Sequence, residues 1–143
     1  MHRRIITACT AAAASVALLF TAATSAHAGE TTRACNGGAA TYGACSGEAV
    51  FDDTDWVFQG VTFGERVNVD DNKADSHGVQ VYVYWNADGE QKQARHVCNA
   101  GAGKGCYFYH KIAEGTRVGI QVCLTENSEE INRTCGPLSY GRA

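Results

Sequence analysis

Apolar and polar residues alternate along several stretches of the chain. Between residues 79 and 85, valine or tryptophan occupies every second position, and glutamine or tyrosine occupies the positions between. A β-strand that buries one face has this period of two, so the alternation predicts half-buried strands. The pattern recurs at residues 106–112 and 117–124. No stretch after residue 28 has the 3.6-residue apolar stripe of an amphipathic helix.

Turn-forming residues separate the alternating stretches. Asp, Asn and Gly cluster between them, as at residues 86–89 and 101–105. Short strands with regular turns are typical of a β-sandwich or a small barrel. We predict an all-β fold, a small antiparallel β-sandwich of six to eight strands, over residues 48–143. The predicted strands lie at about residues 49–58, 61–69, 78–86, 91–98, 106–112, 117–124 and 131–135.

Residues 1–28 have the features of a secretory signal peptide. A positively charged start at residues 2–4 precedes an alanine-rich apolar stretch, and Ala26-His27-Ala28 is a small-x-small cleavage site. A membrane anchor is the alternative, but threonine and serine interrupt the apolar stretch and make it weakly hydrophobic for a stable span. We therefore predict a secreted, extracellular protein in which residues 29–47 form an extended N-terminal arm, tied by one disulfide.

Signal cleavage changes the cysteine count. Cys9 lies in the signal segment, so seven cysteines become six. An even number in an exported domain predicts disulfides, because that compartment is oxidising. Six cysteines allow 15 pairings, but neighbours enclose short polar or glycine-rich loops, which favours pairing between neighbours. The absence of Cys-x-x-Cys and Cys₂His₂ spacing argues against a thiolate zinc site. The predicted disulfides are Cys35–Cys45, Cys98–Cys106 and Cys123–Cys135.

A set of short motifs runs through residues 61–136. It comprises Phe63-Gly64-Glu65, Val69–Asp75, Val79–Tyr82, Gly101–Gly103 and Glu114–Thr116. On these motifs the chain resembles small exported β-sandwich proteins of actinobacteria. Members of that group carry Gly after the Ala-Asp pair, where this chain has Ser76 and reaches glycine only at Gly78. The motifs are turn-like, so the resemblance implies a secreted β-domain and no particular activity.

The net charge of −3 becomes −5 without the signal segment, where 10 basic and 15 acidic residues remain. This acidic balance gives no support to nucleic-acid binding, which is associated with a basic surplus. Eight acids lie between residues 48 and 75. The run from Asp71 to Asp75 looks faintly like a calcium loop, but Lys73 and Tyr82 stand where an EF-hand needs acidic ligands. We predict a solvated turn, and a calcium site built from separate loops stays open.

Three histidines, His77, His96 and His110, lie outside the signal segment. If the second predicted disulfide closes a β-hairpin, His96 is opposite Phe108, and His110 is its diagonal neighbour on the same face. Such a pair can hold a metal if His77 or a carboxylate lies close. Histidine is commonly of intermediate burial, so we predict partly buried rings and no metal site.

Four tyrosines are the candidate binding residues. Tyr82 and Tyr84 share one face of a strand, and Tyr107 and Tyr109 share one face of another. If these two faces coincide, the rings form an exposed platform that binds sugars by stacking, or a protein partner. The alternative is that one pair fills the core while the other decorates the surface.

Enzyme signatures are poor. No Gly-x-Ser-x-Gly, His-Glu-x-x-His or phosphate-loop motif occurs. Removing 28 of 143 residues leaves 115, which gives little room for a deep catalytic cleft. We predict a secreted non-catalytic binding domain, without cofactor, that recognises an extracellular polysaccharide or an exported protein. Neither nucleic acid nor, after signal cleavage, a membrane is an expected partner. The alternative is a small secreted inhibitor of an extracellular hydrolase, which would present the constrained loop Asn99–Gly105.

Overall fold

The computed structural model describes residues 30–37 and 45–143, and this part of the chain contains no helix. The predicted signal segment lies outside the described residues, as do residues 29 and 38–44 of the predicted arm. No described helix is therefore long and apolar enough to cross a membrane. The strands are β1 (Thr32–Cys35), β2 (Gly47–Phe58), β3 (Val61–Asp71), β4 (Gly78–Ala87), β5 (Glu90–Cys98), β6 (Lys104–His110), β7 (Arg117–Glu126), β8 (Glu129–Glu130) and β9 (Ser139–Arg142).

The strands form two antiparallel sheets. Sheet I has the order β1-β2-β3-β6. Sheet II has the order β5-β4-β7, and β8 and β9 pair with opposite ends of β7. The predicted all-β, disulfide-stapled sandwich is confirmed. The described part of the predicted arm contributes β1, which pairs with β2 through residues 48–51 and so extends sheet I.

The core lies between the two sheets and consists of the apolar half of each alternating strand. Val67 and Val69 of β3 and Val81 and Val83 of β4 are fully buried there. Full burial of a valine-sized side chain stabilises a fold by about 1.5–3 kcal/mol. Because each strand turns one face to this core, the residues between point to the outside of the sandwich. Other fully buried members are Ala49, Phe51, Val79, Val118, Ile120 and Val122.

The six longest predicted strands are confirmed, with ends within two residues of the prediction. The predicted strand at 131–135 is wrong. That segment is a turn, in which Arg133 has a φ of 64° and the Leu124 N–H donates to Thr134 Oγ1 at 3.0 Å. A side-chain hydroxyl therefore takes a ladder position on this edge of β7, where β8 pairs with residues 125–126 and β9 with residues 117–120.

All three predicted disulfides are confirmed. The second one does not close a β-hairpin, because β5 pairs with β4 while β6 pairs with β3. The chain crosses from sheet II to sheet I between residues 99 and 103, and Cys98–Cys106 joins the two sheets with Cα atoms 5.6 Å apart. Three intramolecular disulfides in a small domain are typical of extracellular proteins.

Replacing both Cys98 and Cys106 by alanine should lower the free energy of unfolding by about 2–3 kcal/mol, because the unfolded chain regains the entropy of a closed short loop. Urea denaturation of the oxidised proteins at neutral pH measures the change. The matched variant lacks Cys123–Cys135, which closes a loop of similar length within sheet II, and should lose a similar amount. An unchanged midpoint without Cys98–Cys106 would show that this crosslink does not stabilise the sandwich.

Candidate binding surface

The four candidate tyrosines lie on opposite outer faces of the sandwich. Tyr82 and Tyr84 alternate with buried valines of β4 and point outward from sheet II. Tyr107 and Tyr109 alternate with residues of β6 that pack against the core, and point outward from sheet I. A single platform of all four rings is therefore not formed, and neither pair fills the core.

The tyrosine pair on sheet II belongs to a polar network. The rings of Tyr82 and Tyr84 are 6.2 Å apart. The Tyr82 hydroxyl donates to Glu130 Oε2 at 2.8 Å, and Gln80 Nε2 donates to the same oxygen at 3.1 Å. Arg95 donates to Gln80 Oε1. The hydrogen bond to Glu130, together with burial, raises the pKa of Tyr82. The Tyr82 hydroxyl thus donates its hydrogen bond to a group of the protein itself.

The tyrosine pair on sheet I borders a larger group of aromatic rings. Trp56 lies 5.7 Å from Phe58, 5.5 Å from Phe63 and 5.4 Å from Tyr109, measured between ring centroids. Phe63 and Tyr109 are 5.7 Å apart. These separations are typical of attractive aromatic pairs. We call Trp56, Phe58, Phe63 and Tyr109 the hairpin aromatic cluster.

The cluster forms where the β2–β3 hairpin extends beyond its neighbours. In sheet I, β1 covers residues 48–51 of β2, and β6 covers residues 65–71 of β3. Residues 56–64 pair only within the hairpin itself. Its turn is Gln59-Gly60, with φ values of 50° and 77°, the left-handed backbone that a two-residue hairpin turn requires.

A β-bulge and a glycine shape the backbone that carries the cluster. The β2–β3 register shifts between Asp52 and Trp56, which bends and twists a strand locally. Gly64 faces Trp56 with a φ of 91°, and a Cβ there would collide with the backbone carbonyl of His110. Only glycine fits this close approach.

The hairpin carries apolar side chains on both faces. Val57, Phe58 and Val61 are 56%, 53% and 57% exposed, and Phe63 is 38% exposed. Contiguous exposed apolar groups of this kind mark interaction sites in soluble proteins. The exposure identifies the hairpin as a candidate binding surface.

An ion pair borders the cluster on sheet I. Arg66 Nη2 is 2.9 Å from Asp52 Oδ2, and its guanidinium lies 5.6 Å from the centre of the Tyr107 ring. Burial acts to raise the pKa of Asp52, but hydrogen bonds from Thr54 and Arg66 bring it below its ordinary value. The outer face of sheet I is therefore apolar at the hairpin tip and carries a charged pair nearer its centre.

Sequence reasoning missed Trp56, Phe58 and Phe63. The signal was present, because residues 56–63 carry three aromatic residues and two valines around a Gln-Gly turn, with no consistently polar face. A strand with one solvated face alternates, and this segment does not. The predicted strands at 49–58 and 61–69 include these residues, but none of the three was among the candidate binding residues.

The second candidate group is a pair of histidines between the sheets. His96 Nε2 of β5 lies 2.9 Å from His110 Nε2 of β6. The His96 ring stacks on Phe108 at 4.2 Å, and Trp85 lies 5.3 Å from His110. The predicted proximity and partial burial of the two histidines are confirmed, although the contact joins the sheets rather than two strands of a hairpin. Burial lowers the pKa of His96, and burial and the nearby His96 lower that of His110 to about 4.

His77, which the sequence offers as a further ligand for a histidine metal site, is not beside this pair. His77 Nδ1 lies 3.5 Å from Asp75 instead. Within residues 30–37 and 45–143, the one group of three His, Cys, Asp or Glu ligands within mutual reach is Cys123, Glu130 and Cys135. Its two cysteines are bonded to each other, so they do not offer thiolates to a metal.

Asp71, near the end of the acidic run, lines an open cavity of about 480 Å³ at one end of the sandwich, formed by loops 71–78, 99–102 and 127–128. Asp71 and Asp75 each accept a hydrogen bond from the backbone N–H two residues later, at 3.3 and 3.1 Å. Burial raises the pKa of Asp71. These two carboxylates stabilise the turn before β4.

The described surface thus includes an exposed aromatic hairpin, a tyrosine face with a polar network and a cavity at one end of the sandwich. Comparison of the chain with protein-family models, with curated proteins and with solved structures gives no match. The function therefore has to be argued from these surfaces.

Lowering the pH from 7 to 5 should reduce the stability of the metal-free protein. The pKa of His110 is about 4 in the fold against 6.5 ordinarily, so between these values the unfolded chain binds a proton that the folded chain does not. The contribution of His110 to the free energy of unfolding is complete above pH 6.5 and declines as the pH falls toward 4. Thermal unfolding across this range should show a shallower pH dependence for His110→Gln than for the wild type. An equally steep slope in His110→Gln would contradict the assignment.

Proposed function

We propose that the protein is a secreted, non-catalytic binding domain whose partner is an exported protein, bound through the hairpin aromatic cluster. The observation that carries the proposal is the projecting β2–β3 hairpin, which exposes Phe58 and Phe63 beside Val57 and Val61. Interfaces are enriched in tryptophan, tyrosine and phenylalanine at their centres. Trp56, between the other rings, is the expected anchor.

The arrangement of the rings favours a protein over a polysaccharide. Trp56 and Phe58 are nearly parallel, at 13°, but Trp56 meets Phe63 at 61° and Tyr109 at 36°, and Phe63 meets Tyr109 at 51°. The rings therefore present edges and faces in several directions rather than one flat stacking surface. The neighbouring exposed side chains of Val57 and Val61 are aliphatic, and they offer no hydrogen bonds to sugar hydroxyls. Such a surface suits apolar side chains of a partner.

Rigidity supports a binding role. The rings contact one another, and the strands below the hairpin are held in sheet I by β1 and β6. Disulfides restrain both the β1 end and the β6 end of that sheet. A surface that is ordered before binding loses less conformational entropy on association.

Export is part of the proposal. It rests on the predicted signal segment of residues 1–28 and on three disulfides, which persist in oxidising compartments. The inhibitor hypothesis receives less support, because Lys104 has the only side chain larger than asparagine in the loop Asn99–Gly105, and it already belongs to β6, opposite Asp71.

The test uses the oxidised domain as bait against two separate pools, proteins of the culture supernatant and insoluble wall polysaccharide. We expect capture of a partner from the protein pool. Trp56→Ala should weaken its binding by about 30-fold, as expected of a central anchor worth 2 kcal/mol or more, and Phe58→Ala should also weaken it. Titration calorimetry with the purified partner measures both changes.

The matched control is Tyr140→Ala, which removes a ring of sheet II that is 47% exposed and should leave affinity unchanged. Thermal unfolding verifies that each variant is folded. Binding that is lost in Tyr140→Ala but retained in Trp56→Ala and Phe58→Ala would move the site to sheet II. Capture from the polysaccharide pool alone would reject a protein partner.

A further inference from the structure

The histidine pair between the sheets brings two nitrogen donors together. The two Nε2 atoms are 2.9 Å apart, and the ring planes meet at 58° with centroids 5.0 Å apart. A neutral imidazole has one N–H and one lone pair. The facing Nε2 atoms therefore share one proton, donated by one ring to the other. Moving that proton to Nδ1 of its own ring leaves two neutral imidazoles whose Nε2 lone pairs face the same gap.

We propose that His96 and His110 form a binding site for a divalent transition metal ion, with Cu²⁺ the preferred ion and the two Nε2 atoms as neighbouring ligands. Metal–nitrogen bonds of about 2.0–2.1 Å place two ligands at 90° roughly 2.9 Å apart, and two tetrahedral ligands roughly 3.3–3.4 Å apart. The separation of 2.9 Å between the Nε2 atoms matches the first arrangement. Square-planar or tetragonal nitrogen and oxygen sites favour Cu²⁺ and Ni²⁺, and Cu²⁺ has the highest affinity of the divalent series.

The two ligands are held in place before a metal arrives. His96 stacks on Phe108 with an interplanar angle of 14°, and Trp85 packs against His110. The strands that carry the ligands belong to different sheets, and Cys98–Cys106 fixes those same strands to each other. Tilting both rings about their side-chain bonds brings the lone pairs onto one ion. Little conformational entropy is then lost on binding.

Water completes the coordination. No third His, Cys, Asp or Glu of the described residues lies within reach of both Nε2 atoms, so two protein ligands and solvent share the ion. The affinity should therefore be lower than that of a structural site with four protein ligands. The bound ion would act as an additional link between β5 and β6, at the edge where the sheets meet.

The experiment titrates Cu²⁺ into metal-free, tag-free protein at pH 7.5, followed by calorimetry and by electron paramagnetic resonance. We expect one Cu²⁺ per chain with nitrogen hyperfine coupling, and at least tenfold weaker binding of Zn²⁺. His96→Gln and His110→Gln should each lower the Cu²⁺ affinity at least tenfold. His77→Gln, whose histidine lies beside Asp75 instead, should bind as the wild type does.

Folding of each variant is checked by thermal unfolding without metal. If His110→Gln does not fold, His96→Gln carries the test, because its ring contributes less buried surface. In addition, Cu²⁺ should raise the unfolding temperature of the wild type but not of His96→Gln. Equal Cu²⁺ affinity in the wild type and in the His96→Gln variant would overturn the proposal, as would a nitrogen-coupled spectrum that survives loss of both histidines.

Discussion

Burial of alternating valine and isoleucine side chains between two sheets is the constraint on which the other features depend. Val67 and Val69 of sheet I and Val81 and Val83 of sheet II are fully buried. A strand that gives one face to the core must give the other to solvent or to another element. This requirement separates the four tyrosines into two outward pairs, and it brings β5 and β6 together at the edge where the disulfide and the histidine pair form.

The six long strands could be predicted from the sequence, three of them from the period-two alternation that follows from one-sided burial, and the others from the turn residues that bound them. The disulfides could be predicted as well, since each closes a short loop. Sheet membership could not, because alternation along a strand says nothing about its lateral partner. Hence the sequence is equally compatible with a hairpin of β5 and β6, although these strands belong to different sheets. The short β9 strand could not be predicted, because four residues are too few to show a hydrophobic period.

The candidate site was only partly predictable. Tyr109 was identified, whereas its neighbours Trp56, Phe58 and Phe63 were not, because their exposure depends on β1 and β6 ending below the hairpin tip. The contact of His96 with His110 was anticipated, but from a hairpin register that does not exist. Packing between sheets, rather than pairing within one, produces it.

Photo-crosslinking tests the central claim, that the hairpin tip is the binding surface, most directly. A photoreactive phenylalanine analogue replaces Phe58 in one protein and Tyr140 in another, and each is irradiated with supernatant proteins and with wall polysaccharide. Both positions are about half exposed, so accessibility is matched. We expect a discrete protein adduct from position 58 and none from position 140. An adduct from position 140 alone, or no adduct from position 58 while a partner is captured, would contradict it.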